Sequence, residues 1–346
     1  MRRTATQGEQ RPPWGYVLVF LGWTLRVLGL LLLFSGAALL ENLFVEPPAD
    51  TALLPLGSRL LILFSVPVAG SVLFYCGGRI LMRGKQHRAP VITSFGDLAE
   101  ERYLLYLRPF SLDSEMALPP PDAPGALTRS PFELPGLTNE EFLTRQLSRL
   151  GRVVAIGRPG ERLPLIGAER GYLPLDDWQD QVSELIRGAH AVLLSAAPGA
   201  GTVWEFTEAL RTLDPARLVL LIYCGPEDYA LFRVAVAREY AVRSSRERAW
   251  GPNADWPPLP RLPDLSPPVA GEAKGRRWDM TLKGAVVFDH AWRAEFIAFA
   301  PHVPRLRPVW TVRRLVRREL EPVLGPLSRL PPARGRAPFR PPPESR

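Results

Sequence analysis

Two short segments carry residue types that could do chemistry. Arg108-Pro-Phe-Ser-Leu-Asp113 places a cation, an aromatic ring and a carboxylate in one short stretch of chain. Arg108, Phe110 and Asp113 can hold a phosphate, a base and a ribose respectively; a loop with a solvated arginine and a buried ring gives the same string. Ser195-Ala-Ala-Pro-Gly-Ala-Gly-Thr-Val-Trp-Glu205 joins a glycine-rich turn to another carboxylate. Gly199 and Gly201 let a ligand approach the backbone, and N–H groups at the start of the following helix attract an anion. Ser195, Thr202 and Trp204 belong to the same candidate set. Glu205 falls where a carboxylate meets a ribose. Thr202-x-x-Glu205 is also a capping-box pattern, in which Glu205 only satisfies the Thr202 N–H, so both roles stay open. Asp176-Asp-Trp-Gln179 is a weaker set: Asp176 reads as a helix cap, and Trp178 as a core ring or a surface for a base. Arg158-Pro-Gly-Glu161 is a lesser contact loop. His87, His190, His290 and His302 lack ligand spacing, and Cys76 and Cys224 are far apart, so neither a metal site nor a disulfide scaffold is expected.

Those segments need a scaffold. Tyr103–Leu107, Val153–Ile156, Ala191–Ser195, Leu218–Tyr223 and Ala285–Phe288 are short runs that are apolar on both faces, as in a covered parallel sheet. Helices alternate with them. Thr138-x-x-Glu141 opens one to Leu150, Asp176 or Asp177 caps a second to about Arg187, and a third runs from Thr202 to about Leu213. A fourth covers 226–240 and a fifth follows the last strand to about Phe299. The pattern predicts a five-stranded parallel α/β domain over residues 101–300, flavodoxin-like and three-layered. Ligands of such sheets bind beyond the carboxyl ends of the strands. The loops after Leu107, Ile156 and Ser195 should therefore converge on the site. Residues 111–137, 161–175 and 251–275 read as irregular loops.

Ahead of this domain lie two apolar segments. Residues 60–78 hold no charge, and 17–40 are interrupted only by Arg26. A central arginine costs ~2.5–3.5 kcal/mol on insertion, while each Leu, Val or Phe returns roughly 0.3–0.6. The gain wins, with Arg26 partly snorkelling to one end. A two-helix hairpin over 17–82 is expected, with 1–16 before it and a juxtamembrane linker at 83–100. Arg2, Arg3 and Arg11 precede it, Arg79, Arg83, Lys85 and Arg88 end it, and the connecting loop carries Glu41, Glu46, Asp50 and Arg59. By the positive-inside rule the protein is a multi-pass protein of the cell membrane with both termini cytoplasmic.

The net charge of +8 resides wholly in residues 305–346, and 309–325 pair helically spaced Val312, Leu315, Val316 and Leu320 with Arg313, Arg314, Arg317 and Arg318. Residues 301–346 read as a basic helix and a Pro/Arg-rich tail, with anionic lipid a nearer partner than nucleic acid. Arginines outnumber lysines strongly throughout, which weakens any one arginine as a sign of phosphate recognition.

The segments YLLYLRPFSLD and DDWQ…AHAVLLS…GTVWEFTEA resemble the superfamily that joins Toll/interleukin-1 receptor (TIR) domains and nucleoside 2-deoxyribosyltransferases, and most of all bacterial membrane-anchored TIR-like proteins. The transferase pattern Gly-Thr-x-x-Glu-x-x-x-Ala falls on Gly201, Thr202, Glu205 and Ala209; the TIR pattern Trp-x-x-x-Glu falls on Trp204 and Glu208. The resemblance implies a nucleotide or nucleoside ligand and cleavage of its N-glycosidic bond, with Glu205, or alternatively Glu208, as the catalytic acid. NAD is then a substrate, and no other cofactor is required. It also implies self-association. The competing class is a non-catalytic nucleotide-sensing or adaptor module in signalling or defence.

Overall fold

The computed structural model describes residues 10–45, 47–49, 53–99, 101–124, 138–174, 176–250, 256–265, 275–304 and 310–331. The chain divides into two compact units: one holds a helical hairpin that ends at Ala89 together with Arg162–Ile166, and the other is an α/β unit built from Pro90–Glu161 and from Gly167 onward.

In the hairpin, α1 (Pro12–Phe34) and α2 (Leu56–His87) are each long and apolar enough to cross a membrane. Most of their large apolar side chains, Phe20, Leu31, Leu61 and Phe64 among them, face outward. The inner seam is glycine. Gly15, Gly22 and Gly29 recur every seven residues on α1, and Gly70, Gly77 and Gly84 do so on α2. Running antiparallel, Gly15 meets Gly84, Gly22 meets Gly77, and Gly29 meets Gly70. A methyl group on Gly22 would stand 2.6 Å from the Leu81 nitrogen, and one on Gly29 2.7 Å from the Gly70 carbonyl oxygen. The backbones are in contact, the small-residue packing that apolar solvents favour because no hydrophobic force draws the helices together. Arg26 does not snorkel. It is buried in the seam, its guanidinium 4.5 Å from the Phe74 ring centre and 5.4 Å from that of Trp23, a cation–π arrangement.

The second unit is mixed α/β around an eight-stranded, mostly parallel sheet. Its strands are β1 (Val91–Ile92), β2 (Tyr103–Leu107), β3 (Arg152–Ile156), β4 (Glu169–Gly171), β5 (Ala191–Ser195), β6 (Leu218–Ile222), β8 (Gly284–Phe288) and β9 (Ala294–Ala298), in the order β1-β4-β3-β2-β5-β6-β8-β9. A separate antiparallel pair joins β7 (Arg276–Arg277) to β10 (His302–Val303). Strands β2, β5 and β6 are buried along their whole length, and their side chains alternate between two cores. Leu105, Val192 and Leu220 pack under α4 (Trp178–Gly188), α5 (Ala200–Thr212) and α6 (Pro226–Trp250). Leu104, Leu193 and Val219 pack under α3 (Asn139–Leu147) and α7 (Trp310–Arg329). Thr138 caps α3 as expected, its Oγ1 accepting from the Glu141 N–H at 3.0 Å.

The sheet departs from five parallel strands in three places. First, β1 and β4 extend it on one side, in stretches read as linker and loop. Second, β8 runs antiparallel to β6. The cause is the proline-rich insert. Its described part turns back along α6, with Tyr240 donating to the Pro257 carbonyl and Arg233 paired with Asp264. The chain thus returns to the carboxyl ends of the strands and enters the sheet from there, Lys283 N–H donating to the Ile222 carbonyl at 2.8 Å. Third, the segment before Phe299 is strand β9, not helix. Asp289 closes the hairpin by accepting from the Ala291 and Arg293 N–H groups at 2.9 and 2.8 Å, with Trp292 left-handed at φ 58°.

Helix α7 is also no tail. Val312, Val316, Leu320, Val323 and Leu327 are buried in the second core, so the basic helix belongs to the domain. Residues 332–346 of the expected tail lie outside the described residues, as do 125–137 and parts of 251–274.

Candidate functional site

From β2 the chain moves to β3 and β4 on one side of the sheet, and from β5 to β6 on the other. The loops leaving β2 and β5 therefore part company, which opens a crevice at their carboxyl ends. A cavity of about 320 Å³ lies there. Arg108, Pro109 and Phe110 line it after β2, Gly157 and Pro159 after β3, Leu173 and Pro174 after β4. Trp178 and Val182 of α4, and Gly199, Gly201, Thr202 and Glu205 around α5, complete the wall.

Helix α5 starts at Ala200, with Gly199 as an N-cap that offers no side-chain hydrogen bond. The first amides of α5 thus face the cavity mouth without an internal carbonyl to bind. Gly199 has φ −67°, and neither it nor Gly201 would meet anything within 4 Å if it carried a Cβ. Neither backbone conformation nor packing demands glycine at these two positions. Both glycines border the cavity.

Glu205 stands one turn beyond Gly201 on the same helical face. The capping-box reading fails, because the helix has already begun three residues ahead of Val203, whose N–H donates to the Gly199 carbonyl. Among the described residues the Glu205 carboxyl has no hydrogen-bond or ion-pair partner. Its accessible surface faces the cavity, and burial pushes its pKa up to about 8. A group with that value is mostly protonated at neutral pH and is charged by whatever brings a positive partner to it.

Glu208 is built differently. It accepts from Ser183 of α4, from Arg211 of α5 and from Arg243 of α6, and is almost wholly buried. Burial alone would raise its pKa, but the hydrogen bonds from Arg211, Ser183 and Arg243 outweigh burial and hold it low. It is an ionised clamp between three helices and does not line the cavity.

Arg108 reaches the cavity, yet both terminal nitrogens of its guanidinium are engaged, and its buried Nε has no hydrogen-bond partner among the described residues. Nη1 pairs with Asp113, and Nη2 donates to Glu140 at 3.0 Å. Glu140 is fully buried and also accepts from Arg170 at 2.7 Å and from the Ala168 N–H at 3.1 Å. Burial would depress the Arg108 pKa, but Glu140, Tyr106 and Asp113 outweigh that and raise it. Arg108 is therefore a charged, doubly paired cation, and the phosphate role expected for it would require displacing Asp113. Asp113, Ser195 and Trp204 are not on the cavity wall. Ser195 is buried at the end of β5, near the Tyr106 hydroxyl. Trp204 supports the wall from behind, its ring edge-on to Trp178 at 5.0 Å between centres. Asp177, at the N-cap of α4, takes φ 57° and makes no side-chain cap bond, so that expected cap is absent.

Sequence reasoning missed the Glu140–Arg170 pair behind Arg108 and the Leu173-Pro174 wall. Both depend on β4, a three-residue strand with no readable period. Gly157 was a findable signal: a Cβ there would lie 2.3 Å from the Tyr172 ring, which fixes the turn after β3. Compared with known proteins, the chain matches no family model, no curated protein and no solved structure.

Proposed function

We propose that this protein is a membrane-tethered TIR-like module whose cavity binds a nucleoside or nucleotide, with Glu205 at the ribose. The observation that carries the reading is a carboxyl on a cavity wall without a partner among the described residues, one turn beyond two glycines that face open space. The cavity volume sits at the low end of the ~300–1,000 Å³ usual for small-ligand sites, which suits one base and its ribose. Phe110, Trp178 and the prolines offer apolar surface to the base. The free amides at the start of α5 replace Arg108 as the expected contact for an anion.

The chemistry that suits this arrangement is cleavage of an N-glycosidic bond. The bond from ribose C1′ to the base nitrogen breaks and its electron pair leaves with the base. In NAD that pair cancels the charge of the nicotinamide ring; in a neutral nucleoside the departing base takes the proton of the Glu205 carboxyl, which leaves Glu205 ionised. The cationic ring draws Glu205 to its ionised form, the carboxylate stabilises the oxocarbenium charge on C1′, and it takes the proton of the water that adds there. The two apolar helices supply the tether, and the flanking charges favour both termini inside. Incubating the full-length protein with NAD and with nucleosides should release free base, and Glu205→Gln should abolish that release. One observation favours the adaptor reading: Glu205 is the only carboxyl on the described cavity wall. Saturable binding without base release would establish that second reading in place of the first.

A further inference from the structure

Helix α6 turns an apolar line to solvent. Leu231 is 57% and Val234 70% exposed, and small alanines flank them at 230 and 237. Glu227 precedes Leu231 by four residues and Arg238 follows Val234 by four; both are exposed. Spacings of four, three and four put all four side chains on one helical face. Among the described residues the ion pairs of α6 run from Arg233 to Asp264 and from Arg243 to Glu208, and Glu227 and Arg238 take part in neither.

The order acid, apolar, apolar, base reads the same backwards with the charges exchanged. Two copies of α6 laid antiparallel about a two-fold axis between Leu231 and Val234 would set Leu231 on the partner's Val234. The same register sets Glu227 against the partner's Arg238, twice over. We propose that this face is a symmetric docking surface for a second copy of the chain, paired α6 to α6 and antiparallel. An isologous contact of this kind closes on itself and stops at a dimer. One helix pair buries less than the ~1,200 Å² at the low end of stable interfaces, so the association is weak and concentration-dependent.

Co-expression of two differently tagged full-length copies, with Cys76 and Cys224 replaced by alanine, tests it in the expressing cells. A copy bearing Leu231→Cys should cross-link to a copy bearing Val234→Cys more than either cross-links to its own kind. Glu227→Arg in both copies should cut that yield about tenfold, as should Arg238→Glu in both, because each creates two like-charge contacts. Glu227→Arg in one copy with Arg238→Glu in the other should restore it. No cross-link, stronger like-with-like cross-linking, or yields indifferent to the charge exchange would each overturn the proposal.

Discussion

The seam glycines of the hairpin and the two glycines of the cavity differ in what a methyl group would meet. At Gly22 and Gly77 it would stand within 3 Å of the opposing backbone; at Gly199 and Gly201 it would meet nothing within 4 Å. In the hairpin the fold itself explains the glycine. At the cavity packing does not account for it, as it does not at Gly36; what sets Gly199 and Gly201 apart is that they border the cavity, where the proposed ligand would meet them. Carboxylates repeat the contrast within one helix. Glu208 is consumed by Ser183, Arg211 and Arg243, whereas Glu205, three residues earlier, has no partner among the described residues. Residues that a protein's own packing accounts for are structural; those it does not account for, gathered in one cavity, mark the place to look for function.

The largest effect should come from the seam. Gly22→Val or Gly77→Val forces the helices apart and should cost about 3 kcal/mol or more in reversible unfolding of the purified protein in detergent. Gly36→Ala, where a Cβ meets nothing, is the control and should cost little. Equal tolerance at both positions would remove the comparison.

Glu208→Gln comes next. It strands two arginines, and their partial exposure reduces the loss to about 2 kcal/mol. The folded pKa lies below the unfolded value of about 4.3, so the contribution is fully present above that pH and is lost as pH falls through the folded value. The gap between wild type and variant should close in acid.

Glu205→Gln should act in the opposite direction. With its pKa raised to about 8, the wild-type carboxyl costs stability increasingly from about pH 4.3 upward and levels off above 8. The glutamine variant should therefore melt higher than wild type by about 1 kcal/mol or more at pH 8, with the difference shrinking towards pH 5. A variant less stable than wild type at pH 8 would mean that Glu205 has a structural partner after all. The smallest effect on stability should come from Gly201→Ala, which gains helix propensity worth up to about 1 kcal/mol while narrowing the cavity.

The legible parts of the molecule were those with a long apolar signal. β2, β3, β5 and β6, buried on both faces, stood out as runs, and the loops at their carboxyl ends followed from topology. β1 and β4 did not, since two or three residues hold no period. The direction of β8 depended on the insert turning back along α6, a contact between Tyr240 and Pro257 that no local pattern encodes. The apolar stripe of α7 was legible at helical spacing, but the arginines beside it assigned the helix to a basic tail, and its burial in the second core was not readable. The seam glycines at 15, 22 and 29 and at 70, 77 and 84 were visible as a seven-residue repeat, but hydropathy alone does not weigh spacing. At the cavity, the identity of the lining loops was legible, while the commitment of Arg108 was not, because Glu140 and Arg170 lie far from it in the chain.

The most direct test of the central claim, that the cavity beside Glu205 exists for a nucleoside or nucleotide, is a calorimetric titration of the full-length protein with NAD and with nucleosides. Wild type should be compared with Glu205→Gln and with Gly201→Leu, which adds a large side chain at the cavity wall where a Cβ touches no packed neighbour. Saturable heat with wild type, retained in Glu205→Gln and abolished in Gly201→Leu at an unchanged melting temperature, is the predicted result. Undiminished binding by Gly201→Leu, or no heat from wild type with any of these ligands, would contradict it.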